Sequence, residues 1–251
     1  MAPAIHALGL SKSYGDKAAV SSLDLEVPQG SFFGFLGPNG AGKTTTIHML
    51  IGLLQPTAGE VEVLGMRVPE QLDNIKRLIG VVPDESTLFD RLTGSEFLEF
   101  VGRMYGLSRE VAARRAGELM ELFELQKSAS TLVASYSKGM KKRLALAGAL
   151  IHRPQLFLLD EPFEGVDPLG ARLMKGILME QVERGATVFI TSHVLEVVER
   201  LCDRVAIIAD GRLVAEGSVP ELRSAQETLE DIFLRVVGGE RAVHRLDWLL
   251  A

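Results

Sequence analysis

Four short runs of consecutive apolar residues constrain the fold of this chain more than any other feature. They are FFGFLG at residues 32–37, LFLLD at 156–160, TVFITS at 187–192 and VAIIA at 205–209. Runs of this kind are typical of strands that are buried on both faces, and segments with helical periodicity lie between them. The sequence therefore predicts an α/β fold with a mostly parallel sheet.

Other segments predict half-buried strands and a hairpin. SLDLEV at residues 22–27 and EVEVLG at 60–65 alternate with a period of two, as half-buried strands do. Asp210 and Gly211 stand between the strand-like segments VAIIA and RLVAEG. An Asp-Gly pair in that position predicts a tight hairpin.

The middle of the chain, residues 93–132, shows helical signals only. TGSE at residues 93–96 fits a capping box, and the apolar residues after it recur at helical spacing. SREVAARRAGELMELFEL, which begins at Ser108, predicts a second amphipathic helix. We expect an all-helical insert of this kind to form a subdomain with a role of its own.

Composition and charge exclude several classes of protein. Of the 251 residues, 47% are hydrophobic and 24% are charged, as in ordinary folded globular proteins. The net charge of −6 disfavours wholesale binding to nucleic acid, and the single cysteine, Cys202, excludes an internal disulfide. No stretch approaches the ~20 apolar residues of a membrane-spanning helix, and the first ten residues lack the cationic start of a secretory signal. We expect a soluble chain that reaches a membrane only through a partner.

The segment GPNGAGKTT, which begins at Gly37, predicts a phosphate-binding loop. It matches G-x-x-x-x-G-K-[ST] and lies between a predicted strand and the predicted helix TTTIHMLIGLL, as the pattern requires. Its glycines let backbone N–H groups turn towards phosphate oxygens, and the helix adds its positive N-terminus. We expect Lys43 to reach the β- and γ-phosphates of a nucleotide and Thr44 to ligate Mg²⁺. The nucleotide-binding candidates are Gly37, Pro38, Asn39, Gly40, Ala41, Gly42, Lys43, Thr44 and Thr45.

A second acidic element follows a buried strand. In LFLLDEP the apolar residues place Asp160 at the carboxyl end of the strand, where α/β sheets bind ligands. There Asp160 is expected to hold Mg²⁺ through water, and Glu161 to polarise the water that attacks the nucleotide. An acidic pair after a strand is a weak signal alone, but a preceding phosphate loop makes it strong.

The stretch YSKGMKKRL, which begins at Tyr136, identifies the kind of phosphate-loop protein. A phosphate loop, then this stretch, then an Asp-Glu pair is the order found in ATP-binding cassette ATPases, and the chain resembles that family from about residue 5 to residue 237. YSKGM is similar to the family signature LSGGQ, with Ser137 and Gly139 kept. Tyr136, Lys138 and Met140 depart from the consensus.

The resemblance implies a domain organisation. The core is expected to be that of a P-loop NTPase with a mostly parallel sheet, joined to an N-terminal antiparallel β-subdomain. A helical subdomain is expected at about residues 85–153, within an ATPase domain of residues 1–237. Residues 238–251 are expected to form a C-terminal tail.

The resemblance also implies a composite site. In the family two ATPase domains face each other head to tail, so that the signature helix of one points at the γ-phosphate held by the other. Ser137 would supply a hydroxyl and Gly139 would permit close approach of the backbone. The cations that follow, Lys141, Lys142 and Arg143, we interpret as a solvated helix face.

Three further positions match functional positions of the family. Tyr14 is expected to stack on adenine. His193 is expected to contact the γ-phosphate and to orient the attacking water and Glu161. Asp167, in EGVDP, is expected to lie in the loop that crosses the dimer interface.

Asp84, in IGVVPDES, departs from the family, which has glutamine there. Aspartate also offers an oxygen to Mg²⁺, but two like charges about 4 Å apart repel by ~4 kcal/mol at an effective dielectric of ~20. Either Mg²⁺ neutralises Asp84 or the side chain points away. Our hypothesis is that Asp84 ligates the metal only when the site closes; the alternative is a loop acid without contact.

Three functions are compatible with such a domain. The first is the ATP-hydrolysing subunit of a transporter, bound at the inner face of the cell membrane through a separate transmembrane permease. YSKGM and LEDIFL at residues 229–234 resemble export-type cassettes for small molecules, lipids or ions. The second is an ATPase that acts on ribosomes or nucleic acid, and the third is a regulatory module without turnover. The first is favoured, as a homodimer or a heterodimer with a second cassette, and without a nucleic-acid partner.

Overall fold

The computed structural model describes residues 2–84, 88–222 and 229–237 and places their strands in two sheets. The strands are β1 (Ile5–Tyr14), β2 (Lys17–Val27), β3 (Phe32–Leu36), β4 (Ala58–Val63), β5 (Met66–Val68), β6 (Ile79–Val82), β7 (Leu156–Asp160), β8 (Thr187–Ser192), β9 (Arg204–Ala209) and β10 (Arg212–Ser218). The helices are α1 (Lys43–Leu50), α2 (Leu72–Leu78), α3 (Gly94–Met104), α4 (Arg109–Leu122), α5 (Lys138–Leu150), α6 (Pro168–Glu183), α7 (Leu195–Leu201), α8 (Val219–Leu222) and α9 (Leu229–Val237).

The larger sheet contains the four apolar runs that were predicted as strands. Its order is β10-β9-β3-β8-β7-β6, and its pairs are parallel except that of β10 with β9. The turn at Asp210 and Gly211 joins these two antiparallel strands, so the predicted hairpin is confirmed. The mostly parallel sheet is confirmed as well.

Both faces of this sheet are buried, which explains why its strands are apolar throughout. In β3, Phe32 and Leu36 belong to a hydrophobic cluster with α3, α4, α5 and α6. Phe33 and Phe35 belong to a second cluster with β1, β2, β4 and α1. The sheet is therefore the middle layer, and its parallel strands can present polar side chains only where they end.

The smaller sheet is the antiparallel β-subdomain that the family resemblance implied. Its order is β2-β1-β4-β5, with antiparallel pairing at each step. The strand predicted at residues 22–27 lies within β2, and that predicted at residues 60–65 overlaps β4. One face of this sheet packs on the second hydrophobic cluster, so its strands alternate where those of the larger sheet do not.

The segment from residue 93 to residue 132 is helical, as its sequence predicts. Thr93 forms the predicted capping box of α3: its hydroxyl accepts from the N–H of Glu96 at 3.3 Å, and the Glu96 carboxylate accepts from the N–H of Thr93 at 2.8 Å. The predicted second helix is α4. Apart from one isolated bridge between Thr93 and Leu132, this segment contains no strand.

The subdomain boundary at residues 85–153 and the domain boundary at residue 237 stay predictions. The C-terminal tail, residues 238–251, lies outside the described residues, whereas LEDIFL lies in α9. Among the residues that the structure describes, no helix has the length and apolar character needed to cross a membrane.

Candidate active site

The phosphate loop connects β3 to α1 and needs glycine at defined positions. Gly42 has φ +108°, and a Cβ there would lie 2.5 Å from the carbonyl oxygen of Ala19. A Cβ on Gly37 would lie 2.4 Å from the carbonyl oxygen of Ile208. The amide of Ala41 donates to the Pro38 carbonyl at 3.2 Å, which closes the loop on itself. The loop is therefore held against its neighbours by contacts that a side chain would block.

A cavity of about 610 Å³ opens beside this loop and collects most of the predicted site. It is bounded by the loop, the first turn of α1, the ends of β1 and β7, and the segment after β8. Its lining residues are Tyr14, Lys17, Ala19, Asn39, Gly40, Gly42, Lys43, Thr44, Thr45, Asp84, Asp160, Glu161, Glu164 and His193.

Lys43 lies between the loop and the acidic residues. Its ammonium donates to the carbonyl oxygen of Gly37 at 2.7 Å and to that of Pro38 at 3.3 Å. The same nitrogen lies 3.5 Å from Oε1 of Glu161. A buried cation at the mouth of the loop makes this part of the cavity suited to an anion.

Asp160 is buried at the end of β7 and is held by two hydroxyl groups. Thr44 donates to its Oδ2 at 2.6 Å, and Thr191, at the end of β8, donates to its Oδ1. Both strands end at the same edge of the parallel sheet, which brings these groups together. Thr44 and Asp160, which were predicted as metal ligands, are therefore adjacent.

Glu161 is buried and has an unusual backbone conformation. Its φ is +45°, which a non-glycine residue adopts only where its surroundings hold it. Its Oε1 lies 3.0 Å from Nδ1 of His193, but neither this contact nor that with Lys43 has the geometry of a hydrogen bond. A buried carboxylate oxygen without a donor is poised to accept one from a molecule in the cavity.

The side chains present fit Mg²⁺. Mg²⁺ binds hard oxygen ligands, usually one or two carboxylates together with waters and substrate phosphates. The Thr44 hydroxyl and the Asp160 carboxylate supply two such oxygens beside the phosphate loop. The described residues contain no group of three His, Cys, Asp or Glu side chains able to hold a metal ion by themselves, so the nucleotide would have to complete the coordination.

Asp84 lines the cavity, and Lys142 supplies the positive charge next to it. Oδ1 of Asp84 lies 3.6 Å from Nζ of Lys142. From the sequence we expected either Mg²⁺ to neutralise this carboxylate or its side chain to point away from the nucleotide. Lys142 offsets the charge of Asp84 in a third way, and metal ligation by Asp84 on closure stays a prediction.

The interpretation of Lys141, Lys142 and Arg143 as one solvated helix face is wrong for Lys142. Lys142 is only 1% exposed, and burial lowers the pKa of its ammonium while Asp84 acts in the opposite direction. Lys141 is partly exposed and pairs with Asp90 at 2.9 Å, and Arg143 donates to a carbonyl oxygen at the end of α4. The physical reason is helical periodicity: Lys142 shares the buried face of α5 with Gly139 and Leu146.

Ser137, Gly139 and Asp167 do not line the cavity. Ser137 is the N-cap of α5, where its hydroxyl accepts from the N–H of Met140 at 3.2 Å. A Cβ on Gly139 would lie 3.2 Å from the carbonyl oxygen of Gly165, so this glycine lets α5 approach the loop before α6. Asp167 caps α6, and the hydrogen bond from the N–H of Gly170 is the main cause that lowers its pKa.

Tyr14 and His193 are both exposed at the cavity. Tyr14 ends β1 with 53% of its surface accessible, and the ammonium of Lys12 lies 5.4 Å from its ring centroid. His193 follows β8 directly, with its ring open to the cavity. Both side chains therefore line the cavity, and their roles towards adenine and the γ-phosphate stay predictions.

The sequence analysis missed several residues of the cavity. Lys17 and Ala19 belong to β2, where no local pattern marks them as part of a site. Glu164 also lines the cavity and accepts from Lys138 at 2.7 Å, and this hydrogen bond lowers the pKa of Glu164. Glu164 comes three residues after Glu161, and this closeness in sequence could have indicated that it belongs to the same site.

The fold and the cavity define a class of protein. A phosphate loop, a strand-end Asp-Glu pair and a histidine after the neighbouring strand surround one cavity at the carboxyl edge of a parallel sheet. This arrangement is that of a P-loop nucleoside triphosphatase.

Comparison with known proteins narrows the class to a family. Residues 20–164 match the family model described as ABC transporter. The chain is 40% identical over 220 residues to the linearmycin resistance ATP-binding protein LnrL of Bacillus subtilis (strain 168), which covers 88% of this chain and 71% of that protein. It is 41% identical over 222 residues to the daunorubicin/doxorubicin resistance ATP-binding protein DrrA of Streptomyces peucetius, which covers 88% and 67%. It is 42% identical over 209 residues to the Nod factor export ATP-binding protein I of Burkholderia orbicola (strain AU 1054), which covers 83% and 69%.

Solved structures of ATP-binding cassettes have the same fold as this chain. An ATP-binding subunit of an ABC transporter superposes with a TM-score of 0.86 at 30% identity, covering 92% of this chain and 98% of that one. The ATP-binding cassette MJ0796, in a dimeric post-hydrolysis state bound to ADP and Pi, superposes with a TM-score of 0.80 at 27% identity, covering 88% and 99%.

This chain belongs to the ABC transporter family. Within that family it is an ATP-binding subunit that hydrolyses ATP. The predicted family, fold class and ATPase activity are thereby confirmed. The comparisons favour transport over the ribosome- or nucleic-acid-directed alternative.

Proposed function

We propose that the chain closes as a head-to-tail dimer around two Mg²⁺–ATP and drives a separate transmembrane permease that exports a small molecule, lipid or ion. The observation that carries this proposal is the division of the site. The cavity gathers the phosphate loop, Asp160, Glu161 and His193, whereas Ser137 and Gly139 lie outside it. The signature therefore serves the cavity of another copy or of a second cassette.

Within each cavity the residues have separate roles. Lys43 and the loop amides bind the β- and γ-phosphates, and Tyr14 stacks on adenine. Thr44 and Asp160 would hold Mg²⁺, and the ion would supply positive charge to the phosphate oxygens. On our hypothesis Asp84 would be a further ligand in the closed site.

Hydrolysis requires a water oriented towards the γ-phosphate. Glu161 accepts a proton from this water through its buried Oε1, which lacks a hydrogen-bond donor among the described residues. His193, whose Nδ1 lies 3.0 Å from the same oxygen, contacts the γ-phosphate and orients the carboxylate when ATP is bound. Loss of the γ-phosphate removes the link to the partner's signature helix, so the dimer opens.

The permease is expected to dock on the helical part of the chain. Phe89, Phe100 and Met104 are exposed on and beside α3, with the rings of Phe89 and Phe100 5.1 Å apart. Large apolar side chains that are exposed next to one another favour a protein partner. Such docking would place the chain at the inner face of the cell membrane.

Export as the direction of transport rests on the relatives. The relatives named above carry resistance or export in their names, and each is an ATP-binding protein. The cargo is chosen by the permease, so these names support a class of function and not one molecule.

The test is light scattering on Glu161→Gln with ATP and without Mg²⁺, beside ATPase assays on the wild type. We expect the variant to form an ATP-dependent dimer and the wild type to hydrolyse ATP. The double variant Glu161→Gln, Lys43→Ala is the control and should stay monomeric. A Glu161→Gln protein that hydrolyses ATP at the wild-type rate would contradict the proposed role of Glu161.

A further inference from the structure

Lys142 occupies a site made of backbone carbonyl groups. Its Nζ lies 2.6 Å from the carbonyl oxygen of Asp84 and 3.1 Å from that of Glu161. The carbonyl oxygens of Pro83 and Asp160 follow at 3.4 Å and 3.5 Å. The nearest carboxylate oxygen, Oδ1 of Asp84, is 3.6 Å away. The ammonium therefore binds two stretches of backbone, with a carboxylate only at the margin.

These two stretches are the places where neighbouring strands end. β6 and β7 pair in parallel as far as Val82 and Leu159, and the four carbonyl groups belong to the residues that follow directly. Beyond the ladder the sheet no longer fixes the position of one segment relative to the other. Lys142 replaces the missing ladder bonds with donors from α5.

The backbone of Glu161 is held from both sides. Its N–H donates to the hydroxyl of Thr191 at 3.0 Å, and its carbonyl oxygen accepts from Lys142. Glu161 has φ +45°, a conformation that persists only when its surroundings impose it. The carbonyl oxygen also accepts from the N–H of Glu164 at 3.3 Å, but this bond lies within one turn of the same segment. Only Thr191 and Lys142 tie Glu161 to other elements, so we expect the loss of either contact to let the residue relax and to move its carboxylate.

We propose that Lys142 is a positioning residue for ATP hydrolysis. This proposal rests on the role given above to Glu161. Its ammonium fixes the backbone of Glu161 relative to the loop that carries Asp84, and both side chains face the cavity. Lys142 also belongs to α5, whose N-cap is Ser137. The same side chain thus connects the hydrolytic carboxylate of one cavity to the helix that serves the other.

The test is Lys142→Met, which keeps the length of the side chain and removes its donors. We expect kcat for ATP hydrolysis to fall by ~10- to 100-fold, because a small displacement of a catalytic group has an effect of that size. KM for ATP should stay within about 3-fold, because the phosphate loop does not contact Lys142. In the Glu161→Gln background, Lys142→Met should still dimerise with ATP.

The matched control is Lys141→Met, one residue earlier in α5. Lys141 pairs with Asp90 and contacts none of the four carbonyl groups, so its loss should leave kcat within about 2-fold. If Lys142→Met does not fold, Lys142→Gln gives the same test with a shorter, uncharged donor. We expect its kcat to lie between those of the wild type and Lys142→Met.

Two results would overturn the proposal. One is an unchanged kcat in Lys142→Met. If Lys142→Met does not fold, an unchanged kcat in Lys142→Gln has the same meaning. The other is a kcat loss accompanied by loss of ATP-dependent dimerisation or by an equal loss in Lys141→Met, since Lys142 would then be a structural residue or one cation among several. Failure of the proposed function is seen separately, in the wild type and Glu161→Gln, before any Lys142 variant is made.

Discussion

At the residue scale, the cavity depends on a side chain that no motif contains. Thr191 donates its hydroxyl proton to Asp160 and accepts from the N–H of Glu161. One hydroxyl group thereby orients both acidic residues at the end of β7. Residues that orient ligands in this way typically change metal affinity or activity by ~10- to 100-fold when they are mutated.

We therefore predict that Thr191→Val lowers the ATPase rate by ~10-fold or more, and that it raises the Mg²⁺ concentration needed for half-maximal rate. Valine has the shape of threonine but neither donates to Asp160 nor accepts from Glu161. Thr191→Ser keeps the hydroxyl and is the control, with a rate near that of the wild type. Steady-state assays over a Mg²⁺ titration measure both quantities. An Mg²⁺ dependence in Thr191→Val that matches the wild type would show that Asp160 needs no such partner.

Motif residues and positioning residues differ in how far the sequence reveals them. Lys43, Thr44, Asp160 and Glu161 could be predicted because their chemistry requires fixed types at fixed local spacing. Thr191 acts on residues that lie 30 and 31 positions away in sequence, so no local pattern marks it. Lys142 stands between Lys141 and Arg143 in the sequence. A run of three cations is typical of a solvated helix face, so nothing in the sequence indicated that Lys142 is buried.

At the scale of elements, segments with a strong local signal were predicted and short strands without one were not. The capping box at Thr93 and the periodicity of α3 and α4 are local and were confirmed. The strand β6 was not predicted, because IGVV is short and contains Gly80. A Cβ on Gly80 would lie 2.7 Å from the carbonyl oxygen of Ala149. The residue that weakens the strand signal is thus the one that lets α5 pack on the sheet.

The cap of α3 gives a prediction at this scale. Thr93→Ala removes the hydroxyl that accepts from the N–H of Glu96, and we expect it to destabilise the protein by about 1 kcal/mol. Ser95→Ala, in the same turn, removes a hydroxyl that is not the cap and is the control. Chemical denaturation measures the difference, and hydrogen exchange should localise it to α3. Equal stability of the two variants would argue that the cap contributes nothing.

The same cap predicts a pH dependence with a definite sign. Hydrogen bonds from the backbone and the hydroxyl of Thr93 lower the pKa of Glu96 below its ordinary value of 4.5. A carboxylate whose pKa is lower in the folded state stabilises that state above the unfolded pKa and loses this effect as pH falls through the folded pKa. The stability difference between wild type and Thr93→Ala should therefore narrow below pH 4.5. Denaturation at pH 7 and at about pH 3 measures this, and a difference that widens in acid would contradict the assignment.

At the scale of the whole molecule, the proposed head-to-tail dimer needs two half-sites in each chain, and these do not share a cavity. One half is the cavity beside the phosphate loop, and the other is the N-terminus of α5 with Ser137. The sequence contains the order of these motifs but not their separation in space. Only the packing of α5 against β6 and the loop before α6 sets that separation, because it depends on contacts such as that of Gly139 with Gly165.

This division predicts that two inactive variants restore activity when they are mixed. Lys43→Ala disables the phosphate loop, and Ser137→Asp keeps an N-cap for α5 but places a negative charge against the partner's γ-phosphate. Each variant alone should be inactive. In a mixed head-to-tail dimer both substitutions fall in one site, and the other site is complete. About half of the dimers in an equal mixture are mixed, and each has one of two sites intact. The mixture should therefore regain about a quarter of the wild-type rate if the sites act independently.

The control is a mixture of Ser137→Asp with the double variant Lys43→Ala, Ser137→Asp, which contains no intact signature and should stay inactive. ATPase assays across a series of mixing ratios should show the regain rise and fall around the equal mixture, because mixed dimers are most abundant there. A regain that is absent at every ratio, in variants shown to dimerise, would mean that Lys43 and Ser137 act within one chain. Ser137 lies outside the cavity of its own chain, so in that case it would have to affect hydrolysis without contacting the nucleotide in that cavity.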